Sequence, residues 1–322
     1  MPHSQTKHRS QVKNTDLPEF SNGVSLSLEE LLPYKQQAIH WLPPAKSLWA
    51  QLLGQHQSKQ LGRGMDFAEV RQYQAGDDIR SIDWRVTART GKPHTKLFSE
   101  EREKPVILYV DLSTSMQFGS QLMLKSVQAA HMASLLSWLS VAKNDRVGAV
   151  IDTGNALVEL KPTSRQKGPL QLIQQLVTIQ NQQLSSLTLT KRHAHSMHNG
   201  LMALNRLCPK GSEVILISDF VHCDESLTPL LNQLHRHNRV RMVHIYDPLE
   251  QGETQFRGLE RVTDNQQTSW LNFSTNSTRL GLKKAFESQK EKLKSLSQSM
   301  AISYTSLSSE KPLLQQLSGY KE

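Results

Sequence analysis

Pro105-Val106-Ile107-Leu108-Tyr109-Val110-Asp111-Leu112-Ser113-Thr114-Ser115 decides how this chain is read. Val106 to Val110 form a continuous apolar, β-branched run, the pattern of a strand buried on both faces of a parallel sheet. At Asp111 the run ends in a carboxylate, and the alternate residues Ser113 and Ser115 add hydroxyls. Side chains at such a strand exit lie over the carboxyl edge of the sheet, where open α/β folds bind ligands. One carboxylate and two hydroxyls offer only hard oxygen donors, which suit Mg²⁺ or Mn²⁺ better than a thiolate- or imidazole-seeking metal. So few charges would leave such an ion able to accept a carboxylate from a partner protein. A second strand of the same kind, Val214 to Ser218, ends in Asp219, which is expected to reach the same crevice and to orient the hydroxyl ligands and metal-bound water. The alternative is that both aspartates only cap the helices that follow.

Outward from this stretch, strands alternate with helices. Expected in order are a long amphipathic helix over 122–142, strands over 146–152 and 156–160, helices over 169–179 and 197–207, the strand over 213–218, a helix over 226–237 and a strand over 240–246. This alternation predicts an α/β fold with a doubly wound, mostly parallel sheet. Residues 180–190 (QNQQLSSLTLT) interrupt it and read as a surface loop. Beyond Asp247 come a helix over 279–298, a short strand over 301–308 and a last helical turn. Four parts are expected: a disordered tail over 1–23, a helical and β-hairpin appendage over 24–104, the main domain over 105–250 and a C-terminal extension over 251–322 that completes it.

The appendage mixes Gly turns with charge of both signs. Gln74-Ala75-Gly76-Asp77-Asp78 reads as a tight turn. Arg71, Asp77, Asp78, Arg80, Trp84 and Arg89 are its candidate partner-binding residues. The stronger expectation is an internal Arg–carboxylate network with Trp84 packed beneath it.

The chain has 322 residues, 37% of them hydrophobic, enough for one sizeable core and a smaller module. Its 38 Lys and Arg exceed 29 Asp and Glu for a net charge of +9, which admits an acidic partner, nucleic acid or an anionic surface without choosing among them. A nucleic-acid groove would show excess Lys and Arg with interleaved aromatics, and the near-balanced appendage does not. Two cysteines, Cys208 and Cys223, make no disulfide framework or C-x-x-C site and fit a reducing compartment. With no signal-peptide pattern and no spanning apolar run, a cytoplasmic location is expected. His193, His195 and His198, with His222 and Cys223, lack the spacing of a zinc site.

The Asp111-Leu112-Ser113-Thr114-Ser115 loop with the later Leu216-Ile217-Ser218-Asp219 resembles the metal-ion-dependent adhesion site of von Willebrand factor A domains. The longer stretch from Gly62 to Gly119 (GRGMDFAEVRQYQAGDDIRSIDWRVTARTGKPHTKLFSEEREKPVILYVDLSTSMQFG) resembles the bacterial "domain of unknown function 58" family, which joins such a domain to an upstream segment. The resemblance continues more loosely through Asp145 to Ile151 and Ile245 to Glu250. It implies metal ligands at Asp111, Ser113 and Ser115, with Asp219 as the distal carboxylate. Adhesion-type sites add a threonine from the loop between the two strands; here His195 falls at that position and Ser196 beside it. Ser196 would supply a hydroxyl after a one-residue shift, His195 would favour a softer ion, or the site would bind metal weakly.

The resemblance further implies a non-enzymatic interaction module, an adaptor between a MoxR-type AAA+ ATPase, whose gene commonly neighbours those of the family, and client proteins during assembly or metal insertion. One rival is a metal-dependent phosphohydrolase with Asp111 as nucleophile, although such enzymes carry a second acid where this chain has Ser113. The other is nucleic-acid binding through the basic surface. No phosphate-binding P-loop, nucleophile elbow or dinucleotide fingerprint is present.

Overall fold

The computed structural model describes residues 17–39, 61–99, 103–186, 197–254, 256–263 and 268–318. They belong to two compact units: 53–104 forms one, and 1–52 joins 105–322 in the other.

The smaller unit contains strands β1 (Leu61–Gln72) and β2 (His94–Ser99), paired antiparallel, with helix α3 (Trp84–Thr90) between them. The expected turn is present, with Asp77 N–H donating to Gln74 O at 3.0 Å and Gly76 at φ +106°. Among the described residues two ion pairs of the expected charge network are present. Arg71 pairs with Asp77 at 2.8 Å and Lys96 with Asp83 at 3.5 Å, while Asp78 and Asp83 cap helical turns through backbone N–H groups. Trp84 is not packed beneath this network: as the first residue of α3 it projects outward and is 68% exposed.

In the larger unit, helices α1 (Leu28–Leu31) and α2 (Tyr34–Ile39) precede strand β3 (Pro105–Asp111). Helix α4 (Lys125–Ala142), strands β4 (Arg146–Asp152) and β5 (Leu157–Thr163), and helices α5 (Lys167–Ser186) and α6 (Met197–Leu207) follow. Next are β6 (Glu213–Ser218), α7 (Thr228–His237), β7 (Arg239–Tyr246) and a hairpin of β8 (Leu259–Thr263) and β9 (Thr268–Asn272). Helix α8 (Asn276–Ser299), β10 (Ser303–Ser308) and α9 (Leu313–Ser318) complete it. The six-stranded sheet runs β10-β7-β6-β3-β4-β5, parallel except for β5. The fold is therefore α/β around a mostly parallel sheet, as the alternation predicts.

Strand side chains alternate between faces. Ile107, Tyr109, Val214, Leu216, Val240 and Met242 cluster with Leu201, Leu204, Leu231, Leu234 and Leu293 of α6, α7 and α8. The intervening residues face the side where α4 packs on the sheet. Helix α4 is not amphipathic: every residue from Lys125 to Ser140 is buried, because the sheet lies on one side and α2 and α5 cover the others. For the same reason residues 24–104 do not form one appendage. Ser134 Oγ donates to Leu31 O at 2.9 Å and Asn181 Nδ2 to Leu26 O at 2.9 Å, which fixes the first helices to the α/β unit.

The expected surface loop over 180–190 begins as helix, since α5 continues to Ser186. Gln180 and Gln183 are buried because Gln117 Nε2 donates to their side-chain oxygens at 3.0 and 2.9 Å. The hairpin of β8 and β9 is an element that the sequence reading does not anticipate. Among the described residues no helix is long and apolar enough to cross a membrane.

Candidate functional site

The chain leaves β3 toward β4 on one side of the sheet and later returns to β6 on the other. The carboxyl ends of β3 and β6 therefore flank the topological switch point, the place where strand-to-helix connections diverge and leave a crevice. Asp111 ends β3 and Asp219 follows β6, so the order of the strands alone brings these two carboxylates together. Asp111 Oδ1 accepts from Ser113 N–H at 2.8 Å, and Oδ2 accepts from Ser218 Oγ at 2.6 Å. Ser113 Oγ and Ser115 Oγ lie 3.3 Å apart, and Ser115 is near enough to Asp219 to help favour its ionised form. Asp111, Ser113, Ser115 and Asp219 thus converge. His193, His195 and Ser196 lie outside the described residues.

The turn that carries Asp219 is tight. Phe220, buried and not glycine, takes φ +52°, with its N–H donated to Ser218 Oγ at 3.0 Å and Val221 N–H to Asp219 Oδ1 at 3.2 Å. A bulky residue in this left-handed region costs on the order of 1–3 kcal/mol, which the packing of Phe220 in the core offsets.

Four participants escape the sequence reading. Asp152 ends β4 in register with Asp111, accepts from Tyr109 Oη at 2.8 Å and from Gly154 N–H at 2.8 Å, and is buried. Lys125, the first residue of α4, is 1% exposed, with Nζ 2.8 Å from Asp219 Oδ2 and 2.6 Å from Glu250 Oε1. Glu250 in turn accepts from Asp247 N–H at 2.9 Å. Asp247, fully buried at the end of β7, accepts from Ser120 N–H at 2.9 Å, Ser120 Oγ, Leu249 N–H at 2.9 Å and Ser309 Oγ at 2.7 Å.

A small cavity of about 10 Å³, enough for about one water molecule, lies among Tyr109, Asp111, Ser113, Asp152, Ser218 and His222. Its wall at Tyr109 exists because Gly200 of α6 has no side chain: a Cβ there would stand 2.4 Å from Tyr109 Cε2.

Burial, then the charge of Asp219, push the Asp111 carboxyl up to about 7 against the opposing donors Ser218 and Ser113. Burial also disfavours ionised Asp219, but the Lys125 ammonium outweighs it and holds this carboxyl below the usual range. Burial opposes the charge on Lys125 as well, yet Asp219 and Glu250 together hold it above the ordinary lysine range. Cys208 and Cys223, pushed up by burial to about 12 and about 11, remain thiols at neutral pH. Among the described residues no group of three or more His, Cys, Asp or Glu side chains forms a ready metal cage.

The state of Asp111 has a measurable consequence. An acid whose value rises on folding binds its proton more tightly in the native state, so its contribution to stability is present at low pH and declines as pH rises. The decline for Asp111 spans ~3.9, the unperturbed carboxylate value, to about 7. In chelator, urea midpoints of the native protein are expected to fall across that window more steeply than those of Asp111→Asn. Parallel pH profiles for the two proteins would contradict this assignment. Asp219 has the opposite sign, since its stabilisation is lost only as pH falls below the usual carboxylate range.

The donors that meet in the crevice are all oxygen atoms of carboxylates and hydroxyls. Asp111 feels the charges of Asp219 and Asp152, and Lys125 bridges Asp219 to Glu250. Burial lowers the His244 imidazole to about 4, so it stays neutral at physiological pH and adds no compensating charge.

Uncharacterized proteins of Mycobacterium bovis and Mycobacterium tuberculosis are each 28% identical to this chain over 197 residues, 61% of its length. The chain spans 60% of the length of these relatives. A solved structure of the conserved hypothetical protein BatB from Bacteroides thetaiotaomicron covers 67% of this chain and 98% of its own at 13% identity and TM-score 0.38. An uncharacterized membrane spanning protein from Vibrio fischeri covers 68% and 96% respectively, at 14% identity and TM-score 0.22. The family model described as "Protein of unknown function DUF58" matches residues 69–294, most of the chain and the whole of the crevice from Asp111 to Glu250, and the protein belongs to that family.

Proposed function

We propose that the crevice between the ends of β3 and β6 is a metal-dependent docking site for an acidic segment of a partner protein, in a domain of the von Willebrand factor A type. The observation that carries this reading is the meeting of buried Asp111 and Asp219 with the hydroxyls of Ser113 and Ser115 at the switch point of the sheet. A bound Mg²⁺ or Mn²⁺ ion would supply positive charge and an open coordination position for a partner carboxylate. Asp111, Ser113 and Ser115 would hold it, and Asp219 would orient the hydroxyl of Ser115. Ser218 fixes the Asp111 carboxylate through the 2.6 Å hydrogen bond. Tyr109 fixes Asp152 in the same way at 2.8 Å.

This binding role is favoured over an aspartyl-phosphate mechanism because both Asp111 oxygens already accept hydrogen bonds, from Ser113 N–H and Ser218 Oγ. Such bonds position a ligand and reduce the nucleophilicity of a carboxylate. Within the reading, the partner is a MoxR-type AAA+ ATPase, with this protein as its adaptor to client proteins. The test is retention of a MoxR-type ATPase from the same organism on immobilised protein in Mg²⁺. Native protein is expected to retain it, and chelator or Asp111→Ala to abolish retention. Equal retention by the native protein and Asp111→Ala would refute the proposal.

A further inference from the structure

Lysine at the first position of a helix is electrostatically unfavourable, because the exposed N–H groups there already carry partial positive charge. Lys125 occupies that position in α4 and is also 1% exposed, so its ammonium has left water entirely. Its placement is explained by its partners. Nζ stands 2.8 Å from Asp219 and 2.6 Å from Glu250, which holds it between the carboxylate of the crevice and a second one behind it. The two partners differ. Asp219 is 2% exposed, whereas the Glu250 side chain is 29% exposed and its other oxygen is fixed by Asp247 N–H. Lys125 can therefore give up Asp219 and keep a charged partner.

We propose that Lys125 is a built-in cation that competes with a divalent ion for Asp219, with Glu250 as the anchor that retains the ammonium when the ion enters. Lys125 thereby sets how tightly the crevice takes an ion, and so whether a partner can dock at a given ion concentration. The inference rests on the proposed metal-dependent reading of the crevice and assigns Lys125 a positioning role within it. A lysine that served stability alone would leave ion affinity unchanged or lower when removed. A competing lysine raises it.

The test is a calorimetric titration of the full chain with Mn²⁺ alone, comparing native protein with Lys125→Met and Lys125→Met/Glu250→Gln. The double variant keeps the methionine but does not leave Glu250 as an unpaired charge. Removing one competing charge at close range is expected to tighten Mn²⁺ binding on the order of tenfold or more. Thermal stabilisation by Mn²⁺ is expected to grow in parallel, although the ion-free variants melt lower. Native binding with no gain in either variant overturns the role of Lys125 and leaves the metal-dependent reading intact. Binding by the double variant but not by native protein supports the role of Lys125 and refutes metal dependence in the native chain. No binding by either overturns both. If the variants fold poorly without ion, refolding in Mn²⁺ against chelator reads the same competition: recovery with Mn²⁺ alone supports it, and failure in both overturns it.

Discussion

Asp247→Ala is expected to destabilise the larger unit by about 3 to 5 kcal/mol. Asp247 is fully buried and accepts from Ser120 N–H, Ser120 Oγ, Leu249 N–H and Ser309 Oγ. Alanine would leave these donors facing a space from which water is largely excluded. Each buried group without a partner costs about 1–3 kcal/mol, and the total is reduced because small shifts let some donors find other acceptors. The damage is not local, because these bonds join the chain leaving the Asp111 loop to the ends of β7 and β10. Asp247→Asn keeps one acceptor oxygen and should recover part of the loss. Urea denaturation of both variants checks this; an alanine variant within about 1 kcal/mol of native protein would show that the network contributes little.

Gly200→Val is expected to cost about 3 kcal/mol, the upper part of the range for overpacked cores. The first added carbon alone would lie 2.4 Å from the buried ring of Tyr109, and the valine branch adds two more. Tyr109 cannot swing away freely, because its hydroxyl is bound to Asp152 and its ring is packed in the core. Gly200→Ala should show the same effect in smaller measure, about 1 to 2 kcal/mol, since alanine regains part of the loss through its better helix propensity. Denaturation midpoints for the two variants should therefore fall in the order glycine, alanine, valine. A valine variant as stable as native protein would contradict the close packing of α6 on β3.

How much of this was legible in the sequence differs from element to element. The strands ending at Asp111 and Asp219 are uninterrupted apolar runs, and burial on both faces leaves no other pattern available to them. Asp152 and Asp247 carry the same signature, since Arg146-Val147-Gly148-Ala149-Val150-Ile151-Asp152 and His244-Ile245-Tyr246-Asp247 also run apolar into a carboxylate. Reading every strand for its last residue would have found both. Lys125 left a fainter trace, a cation at a helix start in a segment with no other Lys, Arg, Asp or Glu.

Other features were hidden for physical reasons. Gln180 and Gln183 look like loop residues because their polar groups are satisfied by Gln117, sixty residues or more away in sequence. The hairpin of β8 and β9 gives no alternating pattern because Leu259 and Trp270 are 60% and 64% exposed, so among the described side chains neither strand has the buried face that produces one. Trp84 misled in the opposite direction, as an aromatic residue assigned to a core that its position at the start of α3 faces away from.

The most direct test of the account is a Mn²⁺ titration of the native protein and of Asp111→Ala at neutral pH, read by calorimetry. One ion bound per native chain, and none by the variant while its fold is retained, is the predicted result. No binding by native protein, or undiminished binding by Asp111→Ala, would contradict the assignment of the Asp111 loop as a metal site.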